Sequence, residues 1–261
     1  AKFILDTDED GVPETPMIVE VFHGDINGVV ETITPIAGFG LPAGDTTNYV
    51  NYPTYASDYN LTIHVGGALG DISWLDENST PIITVQSVFD QFAPYDDAVL
   101  SVPGQNLDVV RVQSGNVIHE KLEAVGLNDV YDAYDFNQGN AATATTEAAA
   151  NSATATHEVF PALFPWIRPV NSIGLDEGVV LNWWDPNGPS PVFSQGMGAP
   201  WNLIPHPSGG TFHDQGLVLN EGMSAEKSRT NRDLVLSFVL PRTCVALDLP
   251  CKSLFANVAV E

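Results

Sequence analysis

The chain has 261 residues, of which 44% are hydrophobic, enough to bury a substantial core in one main domain. Acidic residues outnumber basic ones 33 to 9, for a formal net charge of −24, which opposes binding to nucleic acid or anionic membrane surfaces and favours cationic partners, divalent metal ions or a salty exterior. A solvated surface with no specific partner accounts for the same charge.

No run of 18 or more apolar residues marks a membrane span, and the opening AKFILDTDED lacks the basic, apolar and small-residue order of a signal peptide. Residues 1–15 start on an apolar run with no cap or turn before it, which reads as a mature protein or fragment beginning in mid-element. PMIVEVFHG (16–24) reads as a strand ending in a turn, followed by a further extended piece and a long polar loop. YNLTIHVGGALGD (59–71) is the next strand with a Gly-rich exit. PIITVQSVF (81–89) is the continuous apolar, β-branched run that a parallel strand buried on both faces requires.

SVPGQNLDVVRVQ predicts a hairpin or short strand pair around Pro103-Gly104, and VIHEKLEAVGL a helix stopped at Gly126. DVYDAYDF (129–136) reads as another strand. Strand, helix and strand in that order predict an α/β sheet with right-handed crossovers. The Ala/Thr-rich stretch 137–156 fits a solvent-facing helix or a flexible excursion. The Pro/Trp-rich stretch 160–207 fits long ordered loops fastened by aromatic rings. A last helix follows, with Ser224 as N-cap, Leu234, Leu236, Phe238 and Val239 buried, and Pro241 as the stop. The organisation expected is one domain, 1–261, with a sheet core over 1–136, a loop-rich excursion over 137–221 and a C-terminal helix and tail over 222–261. Cys244 and Cys251 close a small disulfide loop if the chain turns at Leu249-Pro250; two buried thiols are the competing reading.

VGGALGDISWL, PIITVQSVFDQFAPYDD and VIHEKLEAVGL together resemble the C-terminal portion of secreted Bacteroidetes-type α/β-hydrolases of the esterase kind, over about residues 1–136. The resemblance implies an α/β-hydrolase-like, mostly parallel sheet, incomplete within this chain. In that family the strand end reads His-Gly-Thr-x-Asp and then Pro-Tyr, and the Asp is the triad acid. Here Asp90, Pro94 and Tyr95 match while Gln86 and Ser87 stand at the His-Gly, so the family role passes to Asp90 alone; as a bare residue, an Asp at a strand end is more often a turn or cap former than a catalytic acid. No G-x-S-x-G elbow occurs in the chain, and GFGLPAG, SQGMG and EGMSAE do not substitute for it. The nucleophile is therefore expected on an upstream segment or a separate chain supplying the N-terminal half. The family's histidine turn after the last strand is also absent, where the chain reads YDFNQG. His213 in GTFHDQG is the best-placed base, with His157 behind it, while His119 reads as a structural or surface residue at a helix start.

DTDEDGVPE resembles the acidic calcium loops of EF-hands and thrombospondin type 3 repeats. Asp6, Asp8, Asp10, the Val12 carbonyl and Glu14 are the candidate ligands, and Met17 stands where a bidentate Glu would be. A weak extracellular calcium site is expected from that pattern, an unmetallated acidic turn being the plainer alternative. Trp166, Trp183, Trp184 and Trp201 suit either packing of the loops or a sugar- or ester-binding surface. Three functions follow as expectations. The chain is the C-terminal part of a secreted ester hydrolase, or a non-catalytic hydrolase-like cell-surface or assembly component, homo-oligomeric and held by calcium. The third is a carbohydrate-binding module.

Overall fold

The computed structural model describes residues 4–5, 15–16, 54, 58–90, 93–102, 107–168 and 200–256. The chain divides into two compact units, 1–59 and 60–261. In the first, β1 (Ile4–Leu5) and β2 (Thr15–Pro16) pair antiparallel. Residues 6–14, which hold the acidic loop, and residues 17–53 lie outside the described residues.

The second unit is built on a three-stranded parallel sheet of order β3-β4-β7. Its strands are β3 (Thr62–Val65), β4 (Ile82–Ser87) and β7 (Leu163–Trp166). β4 is central, and all six of its residues are buried, as its unbroken β-branched run requires of a strand covered on both faces. β5 (Asp97–Val102) and β6 (Leu107–Gln113) follow and pair antiparallel; the expected turn at Pro103-Gly104 between them lies outside the described residues. β6 leads directly into α1 (Gly115–Ala124).

α1 ends as the Gly126 signal predicts. Gly126 takes φ +75°, its N–H bonds the Glu123 carbonyl and the Leu127 N–H bonds the Leu122 carbonyl, the paired closure of a Schellman motif. α2 (Ala141–Ala155) is the helix that the Ala/Thr-rich segment allowed, with Ala144, Ala148 and Ser152 buried along one side. α3 (Phe212–Leu219) is short and opens with a Thr211/Asp214 capping box. α4 (Ala225–Ala246) starts at Ser224, whose hydroxyl accepts from the Lys227 N–H at 3.1 Å.

Helices cover the sheet on two sides. Ile83 and Val85 of β4 and Phe164 and Trp166 of β7 form the main core with Ala144 and Ala148 of α2 and Val235, Phe238 and Val239 of α4. The alternate β4 residue Ile82 instead packs with Ile118 and Leu122 of α1.

Three expectations give way to the structure. Residues 129–136 are not a strand: Asp129–Tyr131 is a 3-10 turn, and only Tyr134 makes an isolated bridge, to Ala256. Its aromatics, Tyr131 and Phe136, reach the core from that turn, and the intervening aspartates hold turns instead of a ladder. Pro241 does not stop α4, which continues to Ala246. The buried stripe of Val235, Phe238, Val239, Arg242 and Val245 spans the proline, and packing along it outweighs a penalty of about 3 kcal/mol for an interior proline. Leu236, expected inside, is exposed. Finally, the 160–207 stretch is not all loop, because LFPW forms β7. Its Pro165 is tolerated because, among the described residues, β7 is an edge strand of this sheet and pairs only with β4.

Cys244 and Cys251 form a disulfide with Cα atoms 5.6 Å apart, closing the turn after α4. No helix among the described residues is long and apolar enough to cross a membrane.

Phe238 is fully buried and meets Phe164 edge-on with ring centroids 5.1 Å apart. Phe238→Ala is expected to destabilise the second unit by about 3–5 kcal/mol, read from the urea midpoint at unchanged m-value.

Candidate functional site

In an open α/β sheet, loops that leave the carboxyl ends of the strands carry the chemistry. β4 ends at Ser87 and leads to Asp90, the acid singled out from the sequence. The loop after Asp90 is tightly held where it is described. Asp90 Oδ1 accepts the Ala93 N–H at 3.0 Å, and the Gln86 side-chain amide donates to the Ala93 carbonyl at 2.6 Å. The Tyr95 and Asp96 carbonyls then accept from the Asn116 and Ser114 N–H groups, at 3.0 and 3.1 Å. These bonds use the unpaired donors at the start of α1, so the loop caps the helix that Ser114 would otherwise cap by its side chain. The Ser114 hydroxyl instead donates to the Gly67 carbonyl.

The fixed loop presents Tyr95 and Asp96 to His157. The Tyr95 and His157 rings lie 5.3 Å apart at 44°, and His157 Nε2 is 3.2 Å from Asp96 Oδ2. His157 follows the C-terminus of α2, where Thr156 adopts φ +62° and the His157 N–H closes onto the Ser152 carbonyl. A β-branched residue in the left-handed region is strained by roughly 1–2 kcal/mol, and such strain gathers where a side chain must be aimed. The Tyr95 hydroxyl is buried with no hydrogen bond to another described residue, and burial raises its pKa above the usual phenol range, with the Asp96 charge adding to the effect.

Behind this pair lies a polar layer between the sheet and α1. Thr84 and Gln86 alternate with the core-facing Ile83 and Val85, and so face α1; His64 of β3 pairs in register with Thr84 and shares that face. Gly67 leaves space that His64 uses, since a Cβ there would collide with the ring Nε2. A Cβ is present on Gln86 only 3.1 Å from where Gly115 would carry one, so α1 approaches the sheet closely at its glycine. His119 of α1 is fully buried beside Phe160, with ring centroids 5.9 Å apart. It is thus neither at a helix start nor on the surface. His64 Nδ1, Thr84 Oγ1, Gln86 Oε1, Asn116 Oδ1 and both nitrogens of His119 are buried with no hydrogen bond to another described residue. Such a concentration of unsatisfied groups marks a functional or strained region more often than a plain core. Burial, reinforced by the neighbouring His64, pushes the His119 pKa down to about 3, and burial likewise lowers that of His64 against a smaller opposing contact with the Gly67 backbone.

The residues marked by the sequence fare differently. Asp90 is not at the strand end but in the loop beyond it, since β4 stops at Ser87, and it turns one carboxylate oxygen onto that loop. His213 is the second residue of α3, with a buried Nδ1 that has no hydrogen-bond partner, and no hydrogen bond joins it to Asp90. The calcium candidates Asp6, Asp8, Asp10, Val12 and Glu14 lie outside the described residues, as do Trp183 and Trp184. Among the described residues no three His, Cys, Asp or Glu side chains converge as a metal site. Trp166 is buried core, as the packing reading holds. Nothing in the sequence separates Asp96, adjacent to Asp97 in PYDD, from a surface turn. No local signal shows that α2 returns its C-terminus to the loop, so the sequence places His157 behind His213.

Comparisons with known proteins match no family model, no curated protein and no solved structure.

The depressed His119 pKa has a defined consequence for stability. Between about 6.5 and about 3 the unfolded chain binds a proton that the folded chain refuses, so the His119 contribution is fully present above pH 6.5 and is lost as pH falls through that window. The slope is about 1.4 kcal/mol per pH unit. His119→Gln, which cannot titrate, is expected to flatten the pH dependence of the urea midpoint between pH 6.5 and 4.5 relative to the parent chain. Parallel profiles would show that His119 titrates normally.

Proposed function

We propose that the chain is the C-terminal part of a secreted α/β-hydrolase-like protein that cleaves carboxylic esters, with His157 as the base and a serine nucleophile supplied by an upstream segment or a separate chain. The observation that supports this reading most is the contact of His157 with the loop that leaves the central parallel strand, through Asp96 at 3.2 Å and the Tyr95 ring. A carboxylate that holds one imidazole nitrogen leaves the other to take the hydroxyl proton as the oxygen attacks the ester carbonyl. The same nitrogen returns that proton to the departing alcohol, and water then releases the acid by the reverse sequence. Here Nε2 faces Asp96, so Nδ1 is the nitrogen left for transfer. Asp90 lies six residues before Asp96 on the same loop; it anchors the loop through Ala93 and is the alternative acid.

Secretion or display at a cell surface is supported by the disulfide, which persists in oxidising compartments, and by the excess of acidic residues. The test is labelling of native material by a fluorophosphonate probe, together with turnover of a p-nitrophenyl ester. His157→Ala is expected to lower kcat by about 10²–10⁴-fold and Asp96→Asn by less, whereas His213→Ala leaves it within about twofold. Loss of activity with His213→Ala and not with His157→Ala would reverse the assignment of the base.

A second reading, a non-catalytic hydrolase-like assembly protein held by calcium, is favoured by the lack of any hydroxyl hydrogen-bonded to His157 among the described residues. On that reading no serine is labelled in the chain or in any associated chain. The melting temperature then rises with calcium at millimolar levels, as for weak extracellular sites of about 10⁻⁴–10⁻³ M Kd, and Asp6→Asn with Asp8→Asn removes the rise.

A further inference from the structure

Arg242 of α4 is one of 9 basic residues in a chain with 33 acidic ones, yet its side chain is fully buried and no carboxylate of a described residue lies within ion-pair distance of it. Its guanidinium lies over two rings, 3.5 Å from the centroid of Phe238 and 4.3 Å from that of Phe136. Nε donates to the Pro161 carbonyl, Nη1 to the Phe238 carbonyl at 2.9 Å and Nη2 to the Thr145 hydroxyl at 3.4 Å. A guanidinium has five N–H groups, so one on each terminal nitrogen is left over. Burial lowers its pKa to about 9, which still leaves it charged at neutral pH.

The four residues that touch the guanidinium, Phe136, Thr145, Pro161 and Phe238, all border a cavity of about 370 Å³, with Arg242 itself in the lining. That volume lies in the range of small-molecule sites. Ala148, Ala149, Val159 and Phe160 make much of the remaining wall apolar. Asp135 is the carboxylate of the lining. It is half-buried, and its charge is held by the Asn137 N–H and by the Asn137 and Gln138 amides. An acid in the lining disfavours phosphate and dianions, while the cation in the same lining favours a single negative charge.

We propose that this cavity binds a small organic monocarboxylate, its carboxylate on the two free N–H groups of Arg242 and its apolar tail along Ala149, Val159 and Phe160. Paired N–H donors on adjacent nitrogens match the two oxygens of a carboxylate, and the flanking rings exclude water from the pair. This site does not depend on the ester-hydrolase reading.

The test uses the full chain at pH 7 and fixed ionic strength, titrated with hexanoate, with its neutral counterpart hexanamide and with inorganic phosphate, followed by calorimetry and by melting temperature. Hexanoate is expected to bind saturably with a Kd on the order of 1 mM, and hexanamide and phosphate at least about tenfold more weakly. Arg242→Met is expected to abolish the discrimination between hexanoate and hexanamide. Because that variant removes hydrogen bonds that hold α4, Ala149→Phe serves as a second probe: it fills the cavity wall, leaves the guanidinium intact, and is expected to abolish hexanoate binding. Equal binding of acid and amide, hexanoate binding that survives Ala149→Phe, or no saturable hexanoate binding would each overturn the proposal.

Discussion

The second unit depends on one strand being buried on both faces with unlike chemistry on each. β4 sends Ile83 and Val85 into an apolar core with α2 and α4, and sends Thr84 and Gln86 toward α1. The apolar side supplies adhesion, with each buried aliphatic side chain stabilising by roughly 1.5–3 kcal/mol. The polar side cannot be closed so simply. Each amide or hydroxyl placed there needs a partner, and an unmet one costs about 1–3 kcal/mol.

Much of the local architecture around the candidate site follows from how those polar groups are met. Gln86 spends its amide on the Ala93 carbonyl and so ties the outgoing loop back to the strand it left. The loop then satisfies the first N–H groups of α1, which frees the Ser114 hydroxyl for the Gly67 carbonyl and fixes the exit from β3. One strand end, one helix start and one glycine turn therefore hold each other. His157 reaches this assembly from outside, carried by a left-handed Thr156 at the end of α2. Side chains positioned by so many main-chain bonds are pre-organised, the property that an acid–base pair requires.

The opposite face of the sheet places a second polar group in an apolar setting by different means. Arg242 sits on the same helical stripe as Phe238 and Val239, where a hydrophobic residue would satisfy the pattern, and its charge is met by ring faces and carbonyl oxygens. This stripe also carries α4 through Pro241, so the residue that sequence rules mark as a terminator is held in mid-helix by the burial of its neighbours.

Local signals in the chain were sufficient wherever a single physical requirement acted within a few residues. The unbroken run of β4, the pairing of β5 with β6, the Gly126 terminus of α1 and the Ser224 cap of α4 are all of this kind. Where two requirements competed, local reading failed. The prolines of LFPW and of α4 argued for loop and stop, and edge position and core burial overrode them; the alternating aromatics of 129–136 argued for a strand, and a turn delivered the same rings to the core. The site was legible only in half. Sequence alone determined the strand buried on both faces, because it is encoded in consecutive residues. The tertiary structure alone decided that His157 and Asp96, 61 residues apart, meet at the loop after that strand, and that His64 and His119 share one buried layer. Contacts between residues so distant in the chain depend on how helices pack across a sheet, and no local pattern of side chains specifies that.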